Sequence, residues 1–131
     1  GIYPHKVIDG GKCSYSFYMF RIDEKIVGVS RDDFCKALTA EGIPNEKGVF
    51  PACVYESELF LKKSIYPNCS CPFDCQYYEN TINYTKGLCP VAEEALLTGI
   101  KLPVSEFFTQ RDLEDTVTGI QKVANYYAAV R

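Results

Sequence analysis

Between Ser14 and Ile22 the stretch SYSFYMFRI sets aromatic and β-branched residues in partial alternation with polar ones. That is the period-two pattern of a strand with a buried face. DEKIVG after it reads as a turn with a short apolar continuation. The period then lengthens. Phe34 and Leu38 lie four apart, with Ala37 and Cys35 beside them. Ser30 suits the N-cap, Asp33 the capping-box position, and acidic residues the first turn. Gly42 supplies a left-handed C-terminal residue and Pro44 blocks continuation, so a helix is predicted between Ser30 and Gly42.

GIPNEKGVFPACVY follows as an extended segment broken by prolines, and ESELFLKK reads as a short helix. Residues 64–88 form a long irregular loop, polar, rich in Cys, Asn and Tyr and without a period. A run of that length in a compact domain is uncommon and tends to be functional or packed by its own side chains. In CPVAEEALLTG, Pro90 fits the first helical position, Glu93 and Glu94 the first turn, and Gly99 the stop. IKLPV reads as a short strand. In FTQRDLEDTVTGIQKVANYYAAV, Thr109 caps with Asp112 at the third position. Leu113, Val117, Ile120, Ala124 and Tyr127 make one apolar stripe, read as the face packed on a sheet. The order predicts an α+β fold, an α/β two-layer sandwich occupying 1–131 as one domain. Its small sheet is mixed or antiparallel, with helices mainly on one face.

Composition narrows the partners. A net charge of −3 with scattered lysines gives no reason to expect nucleic acid or an acidic membrane surface. No apolar run approaches the roughly 20 residues a membrane span needs. GIYPHKVIDGGKC lacks the charged and apolar regions of a signal peptide, and the expected compartment is the cytoplasm. Gly1 in place of Met points to a tag scar or a cut point inside a longer protein. Seven cysteines are an odd number for a secreted disulfide framework, although NCS at Asn68 and NYT at Asn83 match the glycosylation sequon. A reducing compartment with free thiols is the expectation.

Candidate chemistry is sparse. The one histidine, His5, lies in a segment without a pattern, and an exposed terminal histidine is expected over a Cys–His pair. DGGKCS has neither a Walker nor a dinucleotide spacing. The pairs Asp32/Asp33 and Glu93/Glu94 are explained by helix N-termini. Tyr77, Tyr78 and Tyr84 are read as packing residues ahead of site residues. Cys69, Cys71, Cys75 and Cys89 form an irregular set for structural zinc. A Cys75–Cys89 disulfide and free thiols packed in the loop stand beside it as alternatives.

CPVAEEALLTGIKLPVSEFFTQRDLEDTVTGIQKV resembles the C-terminal end of the DegT/StrS family of PLP-dependent nucleotide-sugar aminotransferases. The matching residues are Pro90, Ala92 and Glu93 at a helix start, then Leu102-Pro103 in a short strand. The capped helix from Thr109 to Val123 closes in the family's I-x-K-V. YSFYMFRID, SRDDFCKALTAEGIP and VYESELF resemble the preceding segments, so the likeness runs from about Ser14 to Val123.

The resemblance implies the small domain of a fold-type I aminotransferase, which is not catalytic alone. In the family a preceding large domain supplies PLP, its Schiff-base lysine and the aspartate on the pyridinium nitrogen. None of the ten lysines here sits in a matching motif, so no cofactor is expected in this chain. The implied partners are that N-terminal domain, a second parent subunit in a homodimer, and a keto nucleotide-sugar. Val49-Phe50-Pro51 replaces a polar family motif. A polar substrate contact from that position is thus not expected; Tyr55 and Phe50 are the substrate-side candidates, a packing role for Tyr55 being expected ahead of substrate contact, with Glu93 an anchor of its helix start. Alternatives are a binding or accessory module of the same fold, or a zinc-stabilised interaction domain.

Overall fold

The computed structural model describes residues 1–74, 76, 77, 79 and 82–130. Four strands pair in the order β1-β2-β4-β3, every pairing antiparallel. They are β1 (Ile2–Pro4), β2 (Phe17–Ile22), β3 (Glu46–Lys47) and β4 (Gly99–Pro103). The helices are α1 (Glu24–Val27), α2 (Arg31–Ala40), α3 (Glu58–Leu61), α4 (Pro90–Thr98) and α5 (Gln110–Val130). The α+β prediction holds, and the sheet is antiparallel rather than mixed.

Side-chain alternation in the two central strands explains the layers. Phe20 pairs in register with Ile100, and Tyr18 with Leu102. These residues and Ile22 point to one face, where they meet Val27, Phe34, Leu38 and Val123. Phe34, Leu38 and Ile100 are fully buried. Burying each such side chain contributes roughly 1.5–3 kcal/mol before entropy is counted. Arg21, of opposite parity, leaves this face and lies 3.7 Å from Glu94 of α4. The sheet thus carries α1, α2 and α5 on its core face and α4 on the other. No described residue between 44 and 99 joins the core cluster.

The caps behave as their sequence predicts. Ser30 Oγ accepts from the Asp33 N–H at 3.1 Å and donates to the Asp33 carboxylate at 2.9 Å. At the other end of α2, Gly42 sits at φ +81. The N–H groups of Gly42 and Ile43 bond the carbonyls of Thr39 and Leu38 at 3.0 and 2.9 Å. This paired closure satisfies the last carbonyls of α2 and drops Ile43 into the core. Thr109 and Asp112 cap α5 reciprocally, at 2.7 and 3.3 Å.

Three expectations are corrected. DEKIVG is a single helical turn, because the Asp23 carboxylate accepts from the N–H groups of Lys25 and Ile26 and starts α1. The N-terminal segment is not patternless chain: Ile2 to Pro4 pair with Ile22 to Phe20. Three residues ending in proline offer too little alternation to read. Gly99 does stop α4, as expected, with an extended backbone at φ −74 that opens β4 directly. Finally, the apolar stripe of α5 is only half covered. Ile120, Ala124 and Tyr127 pack on the core, but Leu113 and Val117 are half-exposed. A 21-residue helix runs about 31 Å, whereas the five residues of β4 reach only about 17 Å. The helix overshoots its sheet, leaving an apolar groove beneath its first turns.

Candidate functional site

Tyr55 lies in the 3-10 turn Val54–Glu56, ahead of α3. Cys53 precedes it, buried, and its N–H donates to the Glu56 carboxylate at 2.9 Å, which closes the turn. The turn aims the Tyr55 hydroxyl at α4, where it donates a short hydrogen bond to Glu93. The same carboxylate oxygen accepts from the Gly87 N–H at 2.7 Å. Two donors on one oxygen favour the charged form. The Tyr55 hydroxyl, with backbone N–H help from Gly87 and Cys89, holds the Glu93 carboxyl below its ordinary range against an opposing desolvation. Desolvation and then the Glu93 hydrogen bond push the Tyr55 hydroxyl pKa far up. Glu93 therefore works as an anchor of its helix start, and Tyr55 is the strut that holds it. The Tyr55 hydroxyl is committed, and its ring is what remains to meet another molecule. Phe50 sits in the preceding loop, more than half exposed. The structure does not bring these two candidates into one cavity: neither lines the cleft or the groove described below.

An open polar cleft of about 700 Å³ lies between the start of α2 and α4, lined by Arg21, Arg31, Asp32, Glu93, Glu94 and Thr98 among others. Its arginines are paired and its carboxylates outnumber its cations. Arg31 Nη2 lies 3.1 Å from Asp32, and Lys47 Nζ lies 2.6 Å from the same carboxylate. Arg31 Nη1 donates to the Leu96 carbonyl at 2.8 Å, tying α2 to the last turn of α4. The carboxylate pairs of the sequence are thus engaged in caps and ion pairs, as helix-start residues should be.

The cysteine loop packs through aromatic rings. Phe73 and Tyr84 meet Phe60 of α3 with centroids 5.5 and 5.2 Å away, and each other at 5.9 Å. Tyr77 is exposed, and Tyr78 lies outside the described residues. Of the zinc set, Cys69 and Cys89 are exposed free thiols. The Cys71 N–H donates to Cys69 Sγ at 3.4 Å, and Cys75 lies outside the described residues. Among the described residues no three His, Cys, Asp or Glu side chains gather as metal ligands. The described thiols of this loop are also not drawn to Cys89 as one cluster.

One pairing escaped the sequence. His5 Nε2 lies 3.6 Å from Cys13 Sγ, and the ring is flanked by Tyr15 and Tyr18 at 5.5 and 4.9 Å. The expectation of an exposed terminal histidine is corrected: His5 is half-buried. A turn closed by the Gly11 N–H on the Ile8 carbonyl at 2.9 Å reverses the chain and returns Cys13 to His5. Asp9-Gly10-Gly11 was the available signal, a turn that juxtaposes its flanks. Tyr15 and Tyr18 also line the apolar groove under α5. It encloses about 590 Å³ between Ile2, Pro4, Phe108, Leu113, Val117 and neighbouring residues.

No protein-family model matches the chain, and no curated protein matches it at a significant level. No helix among the described residues is long and apolar enough to cross a membrane.

Proposed function

We propose that the chain is the small, C-terminal domain of a PLP-dependent aminotransferase of the DegT/StrS kind. In that reading it works in the cytoplasm as part of a homodimer, beside a preceding PLP-binding domain that acts on a keto nucleotide-sugar. One observation carries the reading: the segments that bear the resemblance bond to one another. VYESELF reaches CPVAEE through Tyr55 and Glu93. SRDDF reaches the end of the same helix through Arg31 and the Leu96 carbonyl. YSFYMFRI pairs along IKLP as β2 against β4. Motifs recognised separately in a sequence acquire meaning when they build one another's contacts.

The residues present do not fit PLP by themselves. A Schiff-base lysine must be deprotonated, through desolvation or a cationic neighbour. Here Lys36, Lys47, Lys62, Lys63, Lys101 and Lys122 each lie within 4 Å of a carboxylate, an anionic neighbour where a Schiff-base lysine uses a cationic one. Lys6, Lys12, Lys25 and Lys86 are exposed. The domain's part in the reaction is therefore to wall one side of a site whose reactive groups lie elsewhere, with Phe50 and the ring of Tyr55 as its substrate-side surface.

The test uses the complete open reading frame. Record its visible spectrum, reduce with borohydride, and map the pyridoxyl-labelled lysine. A label on a lysine upstream of this chain supports the reading. A label on any of the ten lysines here, or a full-length protein that holds no PLP, overturns it.

A further inference from the structure

We propose that Cys13 and His5 form a nucleophilic thiol–imidazole pair that accepts a medium-chain acyl group from a thioester, the chain of that group lying in the groove beneath α5. Three features, joined through Tyr15, converge on this. The first is the pair itself: nucleophile and base within hydrogen-bond reach for sulfur, 3.6 Å apart, with the base packed against two aromatic rings that also touch each other. The second is Tyr15. Its backbone is left-handed, at φ +47, although it is not glycine. Strained residues of this kind persist where the surrounding structure requires them, often at functional sites. The conformation sets the Tyr15 hydroxyl beside Cys13. Burial and the sulfur together push that hydroxyl's pKa up, so it stays protonated and can donate to a forming thiolate. The third is the groove, whose walls include Tyr15 and Tyr18, the same rings that flank His5. Its volume of about 590 Å³ falls within the usual range for small-molecule sites. Its lining is mainly aliphatic and aromatic, with Thr116 and Gln121 the polar exceptions beside the tyrosines, and holds no charged side chain. An uncharged apolar chain fits that lining, and its carbonyl end would pass the shared rings of Tyr15 and Tyr18 toward Cys13.

The step is a thioester exchange. The Cys13 thiol gives its proton to His5 Nε2, and the sulfur bonds to the acyl carbonyl carbon. The bond between that carbon and the donor sulfur breaks, and His5 returns the proton to the departing thiolate. The products are S-acyl-Cys13 and a free thiol, with no oxidant or reductant consumed. None of this rests on the aminotransferase reading.

The experiment treats the 131-residue chain with acetyl and octanoyl thioesters of N-acetylcysteamine at neutral pH. Acylation is followed by intact mass and peptide mapping, with hydroxylamine release confirming the thioester. The exposed thiols Cys69 and Cys89 are internal controls. Octanoylation of Cys13 is expected to exceed that of Cys69 by tenfold or more, and to exceed acetylation of Cys13 once both are scaled to Cys69. Each methylene buried adds up to about fourfold. His5→Gln should slow Cys13 roughly 100-fold, the usual scale of general-base help, without changing Cys69. Val117→Glu, placing a charge in the groove at a half-exposed position, should erase the preference for the longer chain. Equal labelling of Cys13 and Cys69, or no preference for octanoyl in the unaltered chain, overturns the proposal without needing any variant to fold. A His5→Gln chain that labels at the original rate does the same.

Discussion

The hydroxyl of Tyr55 bonds the carboxylate of Glu93, thirty-eight residues further along the chain. That bond fastens the 3-10 turn to the first turn of α4, and it has a pH signature. The Glu93 carboxyl is held below its ordinary range. Its contribution is therefore complete above the unfolded value, about 4.3, and is lost as pH falls through the lower folded value. Thermal melts from pH 7 to pH 3 should show the unaltered chain losing more Tm on acidification than Glu93→Gln. Tyr55→Phe should lower Tm at pH 7 while reducing that extra acid sensitivity. Identical slopes for all three chains would mean the bond contributes nothing.

Two glycines should fail on substitution for different reasons. A Cβ at Gly99 would stand 2.6 Å from the Ala95 carbonyl oxygen, and backbone cannot swing aside. Gly99→Ala should cost about 1–3 kcal/mol, the usual penalty of overpacking. Trimming Met19, the other near neighbour at 3.3 Å, should not rescue it. Gly42 has open space around it but a φ of +81. Gly42→Ala should cost about 1–2 kcal/mol from the left-handed backbone alone, and Gly42→Asn less. Urea denaturation of the four chains separates the two mechanisms.

Arg31 serves two partners with one guanidinium, the Asp32 carboxylate and the Leu96 carbonyl. Lysine keeps the charge and loses the fork. Arg31→Ala should destabilise by about 1.5–3 kcal/mol, the range for hydrogen bonds to charged groups, with Arg31→Lys recovering less than half. Equal stability of the lysine and arginine chains would show that charge alone matters.

Thiol reactivity should follow burial. Cys35 is 4% exposed, and burial pushes its thiol pKa up. Cys69 and Cys89 lie open. Mapping of alkylated peptides at pH 8 should find Cys69 and Cys89 labelled first, and Cys35 labelled only at the rate of global unfolding. Prompt labelling of Cys35 would mean that α2 opens independently of the core.

What could be read in advance was whatever local chemistry decides. The caps at Ser30 and Thr109 and the turn at Gly42 are written in residues within one helical turn of each other. The β2 and β4 strands were legible because alternation survives in both, aromatic in β2 and aliphatic in β4. Strand β1 was not, since its three residues are held by the register Ile2 with Ile22 rather than by their own pattern. The site divides the same way. Glu93 was recognisable as a helix-start residue, but its partner Tyr55 is set by a tertiary approach that no spacing encodes. The pairing of His5 with Cys13 depends on how far a turn folds its flanks together, and the uncovered half of the α5 stripe depends on where a neighbouring strand stops.

The absence of the described residues of 44–99 from the core cluster has a consequence for how this chain can change. Strands β3 and β4 are neighbours, yet the chain leaves the sheet after Lys47 and returns only at Gly99. Closing such an excursion costs entropy that grows only logarithmically, about 0.6 kcal/mol for each doubling of length. Insertions and deletions there are thermodynamically inexpensive, while the strands and helices on either side tolerate almost none. Phe50, Tyr55 and the cysteines of the loop all lie on that excursion. The part of the molecule that meets other molecules in the proposed role is free to diversify in length and composition while the packing unit beneath it stays fixed.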